Sequence, residues 1–238
     1  MSKRDPRTGS LLDRIRAGNV KVAAIPTAPP SKEELLAAAL AGGRPRMVFA
    51  IDATASREAA WSTARDVTDA LFGAVPGVLD VALAVHGGGE VHTFSEFSPD
   101  AAAIRQAAAN VTCRAGGTQL VEIMERVRDE PRVKVLLYIG DAFEEFEEDA
   151  VAAARDLARA GTRCIILQDA DDAHAATVFG AMAELTGGAL LPFDGTAPGR
   201  LRDLLRAVAT LAAGGVKLLE ARQKALPGAR HLLENLRR

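Results

Sequence analysis

The sequence predicts a three-layer α/β domain on a doubly wound, mostly parallel sheet with one antiparallel edge strand. Three observations carry this. From residue 46 onwards, short apolar runs alternate with longer segments of helical periodicity. The runs 78–86 and 90–94 are joined by Gly87-Gly88-Gly89, a turn short enough for a hairpin, and this supplies the antiparallel edge. Glycines fall where helices must stop, at Gly161 and at Gly187-Gly188.

The elements follow in order. The first strand is 46–52, Arg46-Met47-Val48-Phe49-Ala50-Ile51 and then Asp52. Between Arg57 and Ala74, the apolar residues Ala60, Trp61, Ala64, Val67 and Leu71 recur at helical spacing. Val78 to His86 is rich in β-branched residues and reads as a strand, with Glu90 to Phe94 returning beside it. Asp100 to Asn110 is a short alanine-rich helix behind Ser98-Pro99. The Gly116-Gly117 loop leads into a helix from Thr118 to about Asp129, closed by Pro131. Strand 133–140, helix 144–160, strand 162–168, helix 171–186, strand 189–193 and helix 199–213 complete the alternation. Asp171 or Asp172 is the expected cap of the helix at 171–186.

Three units are expected: an N-terminal arm at 1–43, the alternating domain at 44–213 and a C-terminal helical tail at 214–238. In the arm, Ser10 to Ala17 has the length of two helical turns and Gly18-Asn19 breaks them. Ile25 to Pro30 is extended, because each proline fixes its own φ and restrains its predecessor. Ser31 is an N-cap for Lys32 to Ala41, with Glu34 as its capping-box partner and Gly42-Gly43 as the stop. The tail reads as helices Val216–Leu226 and Ala229–Leu236 split by Pro227-Gly228. Leu218, Leu219, Leu232, Leu233 and Leu236 give it an apolar face, which either packs on its own fold or fills a partner's groove.

Composition narrows the function classes. The chain has 238 residues, 29 basic against 31 acidic, for a formal net charge of −2. That balance gives no bulk attraction to nucleic acid or to anionic lipid. Aromatics are 4% of residues, too few for a surface that stacks on bases or sugars. No apolar run reaches the ~18 residues of a membrane span. The start, Met1 to Pro6, is charged and lacks the apolar stretch of a secretory signal. Cys113 and Cys164 make no disulfide framework and read as reduced thiols, so a cytoplasmic setting is expected.

The chemistry-bearing residues gather at strand ends. Asp52-Ala53-Thr54-Ala55-Ser56 follows the first strand, Thr118 follows two glycines, and Asp141 ends strand 133–140. The first strand and strand 133–140 are expected as central neighbours across the point where strand order reverses, where such sheets bind ligands. Asp52, Thr54, Ser56, Thr118 and Asp141 offer two carboxylates and three hydroxyls. Hard oxygens in this number suit a small divalent cation such as Mg²⁺, which takes about six oxygens and keeps some of its waters. Each residue also has a plainer reading: a turn aspartate for Asp52, and helix-capping hydroxyls for Thr54, Ser56 and Thr118.

The set resembles the metal-ion-dependent adhesion site (MIDAS) of von Willebrand factor type A (VWA) domains: Asp-x-Ser-x-Ser, then a distant Thr, then a distant Asp. The resemblance covers residues 46 to about 213. Thr54 stands where serine is usual, keeping the hydroxyl. Gly140-Asp141-Ala142 stands where many members have Thr-Asp-Gly. The resemblance implies that Thr54, Ser56 and Thr118 bind the metal directly, with Asp52 and Asp141 acting directly or through water. It also implies that an Asp or Glu of a protein partner completes the shell of a Mg²⁺ or Mn²⁺ ion.

The acidic run Glu144 to Asp149 follows at once. Its charge suits a helix N-terminus. Alternatively it forms a rim that selects a basic partner, with Glu144, Glu145 and Glu147 as candidate partner-binding residues. Phe143 and Phe146 within it are either core or exposed anchors.

An enzyme is not expected. Haloacid-dehalogenase-like enzymes carry a second aspartate two residues after the first, where this chain has Thr54, so the acid–base carboxylate is missing. No phosphate-binding glycine loop is present. His86, His92, His174 and His231 lack zinc-type spacing, and His86 and His92 read as solvated or strand-packing residues flanking the hairpin. The expected function is an intracellular, Mg²⁺-dependent protein-interaction adaptor. The alternatives are a metal-dependent phosphatase-like hydrolase, and a structural VWA subunit that assembles through its arm and tail.

Overall fold

The computed structural model describes Ser31, Glu33, Glu34, Ala37 and residues 41–54, 69–75, 77–169, 171–193 and 196–236. Ser56, most of the helix expected at 57–74 and the arm before Ser31 lie outside these residues. One sheet runs in the order β3-β2-β1-β4-β5-β6. The strands are β1 Arg46–Asp52, β2 Asp80–Gly87, β3 Glu90–Phe94, β4 Val133–Gly140, β5 Arg163–Gln168 and β6 Ala189–Pro192. Every pairing is parallel except β2 with β3. β1 and β4 are central neighbours, and strand order reverses between them.

The helices are α1 Asp69–Gly73, α2 Ala101–Ala109, α3 Leu120–Asp129, α4 Glu147–Ala160, α5 Ala173–Thr186, α6 Pro198–Arg222 and α7 Pro227–Asn235. Successive strand residues point to opposite faces, so each central strand feeds two cores. Met47, Phe49 and Ile51 join Leu71, Ile104, Leu205 and Val208 on the face covered by α1, α2, α6 and α7. Val48 and Ala50 join Ile123, Met124, Leu157 and Phe179 on the face covered by α3, α4 and α5. Two helical layers around one sheet give the expected three-layer architecture.

Local signals set many of the boundaries. Ser31 and Glu34 close the capping box, Glu34 N donating to Ser31 Oγ at 3.1 Å and Ser31 N to Glu34 Oε2 at 2.6 Å. Asp172 caps α5 by accepting from Ala175 N at 2.7 Å. Gly161 and Gly187 end α4 and α5 in the left-handed region. Several helices start later than the sequence predicts, among them α3 at Leu120 rather than Thr118, α4 at Glu147 rather than Glu144 and α5 at Ala173 rather than Asp171.

The segment expected as a separate tail shares the core of the domain. α6 runs through residue 214, with non-helical backbone only at Gly215 (φ 69°). Leu218, Leu219, Ala229 and Leu232 are buried in the cluster that holds Phe49 and Val208. Arg222 Nη1 donates to the carbonyl of Ala74 at 3.0 Å. Gly228 sits where a Cβ would lie 2.4 Å from the Asp203 carbonyl oxygen, so α7 packs closely on α6. Among the described residues, no helix is long and apolar enough to cross a membrane.

Candidate metal centre

Backbone pairing brings three segments together at the carboxyl ends of the strands. Asp52 ends β1 in register with His86 of β2. Ala53 N donates to the His86 carbonyl at 2.8 Å, and Arg114 N donates to the Ala53 carbonyl at 2.9 Å. The loop before α3 is thereby laid beside Ala53 and Thr54. Gly116 allows this loop to meet the hairpin turn. Its φ is 141°, and a Cβ there would lie 2.4 Å from the Gly88 Cα. Gly89 N then donates to the Gly117 carbonyl at 3.0 Å.

Asp52, Thr54, Thr118 and Asp141 line one cleft of about 260 Å³, together with Glu144. Four of the five residues expected to ligate a metal are thus brought together, and Ser56 lies outside the described residues. Asp52 is 1% exposed. Its Oδ1 accepts from Thr54 N at 2.8 Å, while its Oδ2 is buried with no hydrogen-bond partner among the described residues. Burial pushes this carboxyl up to about 6. The Thr54 amide opposes the shift, and the negative charge of Asp141 adds to it. A buried carboxylate with an orphaned oxygen beside a second carboxylate is costly until a cation is placed between them. Among the described residues, no three His, Cys, Asp or Glu side chains form a metal-binding group. A metal at this cleft would therefore draw on hydroxyl and water oxygens beside the two carboxylates, a donor set for a hard cation.

Thr118 is buried, and its role differs from that of a simple helix cap. Gln119 occupies the N-cap position of α3 and makes no side-chain cap bond. Thr118 Oγ1 accepts from Glu144 N at 3.0 Å and hydrogen-bonds the Glu145 carboxylate. Glu145 itself caps α3: Leu120 N donates to Oε1 at 2.6 Å and Val121 N to Oε2 at 2.9 Å. Burial raises the Glu145 carboxyl, while those two amides and the Thr118 hydroxyl pull it down.

The sequence reading placed Glu145 on a partner-facing rim, but the structure turns it inward, where it ties the Asp141 loop to the Thr118 loop. Of the other rim candidates, Glu144 is exposed and lines the cleft. Glu147 is exposed, 3.6 Å from His174. Phe143 belongs to the core, whereas Phe146 is 76% exposed.

His86 is the other residue at this strand end whose role the sequence did not disclose. It is fully buried. Its Nδ1 accepts from Gln119 N at 3.2 Å, and its Nε2 lies 3.1 Å from Tyr138 Oη. Burial lowers its pKa to about 3, with His92 adding a smaller effect, so the ring is neutral.

No family model and no curated protein matches the chain. Solved structures do match. The SpRpn10 VWA domain superposes with a TM-score of 0.52 at 11% identity, over 63% of this chain and 88% of that one. Proximal thread matrix protein 1 (PTMP1) from the mussel byssus, in a structure with a zinc-occupied MIDAS motif, gives 0.54 at 16% identity, over 70% of this chain and 46% of that one. The human COPII-coat protein Sec24c gives 0.52 at 12% identity, over 70% of this chain and 32% of that one. This chain therefore spans less than half the length of the last two. The likeness is one of fold: the domain is VWA-like.

Proposed function

We propose that this chain is a protein-interaction module that holds Mg²⁺ or Mn²⁺ at Asp52, Thr54, Thr118 and Asp141 and presents it to an acidic residue of a partner protein. Ser56, two residues beyond Thr54, joins this set by sequence. The observation that carries the reading is the orphaned Oδ2 of Asp52, buried in a cleft that also holds Asp141 and two hydroxyl side chains. The MIDAS-bearing neighbour of the same fold supports it.

The residues divide the work. Asp52 and Asp141 neutralise the charge of a divalent ion. Thr54 and Thr118 contribute uncharged oxygens, so the ion keeps its appetite for one more carboxylate. Such a contact is strongest where water is excluded. The exposed carboxylates of Glu144 and Glu147 favour a partner with basic residues nearby and would act on association rate. The module works in the cytoplasm as an adaptor and catalyses no reaction of its own.

Calorimetric titration of Mg²⁺ and Mn²⁺ into the full chain tests the metal reading. One ion per chain is expected, with its heat lost in Asp52→Ala and in Asp141→Ala. Equal binding by the two variants and the parent protein sinks it. Proteins captured from lysate on the immobilised chain should be released by chelator and not retained by Thr118→Ala. Turnover of phosphate esters that disappears in Asp52→Asn would instead favour a hydrolase.

A further inference from the structure

We infer that His86 is a positioning residue for the metal site, setting the place of Thr118 relative to Asp52 by accepting the Gln119 amide hydrogen on Nδ1. The functional consequence rests on the metal reading above; the positioning itself does not. Three observations lead there.

The first is the tautomer. A backbone amide can only donate, so the 3.2 Å contact from Gln119 N makes Nδ1 an acceptor. The ring proton is then on Nε2, where it donates to Tyr138 Oη at 3.1 Å. Both ring nitrogens are used, and the other tautomer would lose the Gln119 bond, while the Tyr138 hydroxyl, which can donate as well as accept, would keep its own.

The second is the place of the three residues on the sheet. His86 is in register with Asp52, and Tyr138 is in register with Ala50. Strand alternation puts Asp52, His86, Tyr138 and Ala50 on the same face, the one α3 covers. The His86–Tyr138 pair therefore bridges from β2 to β4 across β1 at Ala50, whose small side chain leaves the space. Gly140 leaves the rest, since a Cβ there would lie 2.3 Å from Tyr138 Oη. The rings stack with centroids 5.7 Å apart. The imidazole on β2 is thus tied to β4, whose last residue precedes Asp141, with β1 and its Asp52 paired between the two strands.

The third is how the Thr118 segment is held. Leu120 N and Val121 N go to Glu145, and Thr118 Oγ1 takes the Glu144 amide; both partners lie on the loop after β4. Those bonds move with that loop. The Gln119 amide instead goes to the strand residue beside Asp52. His86 therefore ties the hydroxyl ligand and the carboxylate ligand to one frame, as outer partners of metal sites do.

Asparagine and glutamine separate the two bonds. His86→Asn puts an amide oxygen near the Nδ1 position and abandons Tyr138. His86→Gln reaches toward Tyr138 and leaves Gln119 N without its acceptor. Both should melt below the parent protein. Calorimetry with Mn²⁺ should give an affinity within about threefold of the parent for Asn and a loss of tenfold or more for Gln, the usual scale for such partners. Amide hydrogen exchange in chelator should show Gln119 protected in the parent and in Asn, and exposed in Gln. Nitrogen-15 spectra of the parent should show Nδ1 unprotonated and Nε2 protonated.

If the parent protein binds no Mn²⁺, the functional reading fails, and the exchange and nitrogen spectra still decide the positioning. If it binds and the two variants match in affinity and in Gln119 exchange, His86 only packs. A proton on Nδ1 in the parent overturns the inference even if neither variant folds.

Discussion

Asp52 and His86 stand side by side at the ends of β1 and β2, equally shut off from water, yet their bonding differs. His86 has a partner for each ring nitrogen. Among the described residues, Asp52 has a partner for one oxygen and none for the other. A buried polar group with all its bonds made is framework. A buried group with one bond missing calls for an explanation, and the proposed metal supplies one for Asp52. Burial disfavours the charged form of both, so the shifts run in opposite senses, the acid pushed up to about 6 and the base down to about 3.

The largest expected effect is a difference of sign. In chelator at pH 7.5, His86→Ala should lose about 2–4 kcal/mol, because the Gln119 N–H and a Tyr138 bond are left unmade in the interior. Asp52→Asn should gain stability, on the order of 1–3 kcal/mol, because a neutral amide replaces a carboxylate ionised against its surroundings. Urea melts of the full chain decide this. Equal losses in both variants would erase the contrast between framework and receptor.

A smaller effect is the pH dependence, again with opposite signs. Asp52 has a folded value of about 6 against 3.8, so its contribution is whole below pH 3.8 and is lost as pH rises through 6. His86 has a folded value of about 3 against 6.5, so its contribution is whole above pH 6.5 and is lost as pH falls toward 3. Between pH 4 and 6 the two slopes oppose each other, each about 1.4 kcal/mol per pH unit at most. In chelator, Asp52→Asn should therefore grow more stable from pH 4 to 6 relative to the parent, and His86→Asn less stable. Parallel curves for the parent and both variants would show that neither group titrates as described. Metal affinity should fall as the solution is taken below pH 6, because the ion must displace the Asp52 proton.

Much of the frame was legible because its signals are local. Asp172, Ser31 and Glu34 cap helices from three residues away, and the end of β1 could be read from its apolar run. The neighbourhood of β1 and β4 followed from topology rules rather than from any pair of residues. Of the site, the sequence brings forward Asp52, Thr54, Thr118 and Asp141, which the structure gathers in one cleft. Glu145 was misplaced because it caps a helix 25 residues earlier in the chain, and no spacing rule reaches that far. His86 accepts from an amide 33 residues later, and an acceptor on a ring leaves no pattern in sequence. The boundary expected at 213 rested on Gly214-Gly215 as a helix stop. One non-helical residue sufficed there, because burial of Leu218 and Leu219 holds the helix on its far side.

Glu145 sharpens the comparison at lower amplitude. Glu145→Gln keeps oxygen for one α3 amide and loses the charge at the helix N-terminus, at a cost of about 1 kcal/mol; Glu145→Ala should cost about twice that. Thermal melts in chelator read both. A cost near zero for Glu145→Ala would return this residue to the rim. The smallest effects belong to the exposed positions: Phe146→Ala and Glu147→Gln should each stay within about 0.5 kcal/mol of the parent protein in the same melts. A larger loss in either would mean that the rim, too, is part of the frame.

The bond from Arg222 to the carbonyl of Ala74 spans 148 positions of chain, and Leu232 closes the same interior. A nascent chain on the ribosome therefore cannot seal this face of the sheet until α7 has cleared the exit tunnel. At ~5–20 residues per second, the strands around Phe49 and Val85 wait on the order of ten to forty seconds with apolar surface uncovered. Over that interval the uncovered surface favours aggregation, and a stall or early stop near residue 213 should leave a species prone to aggregate rather than a shorter working domain.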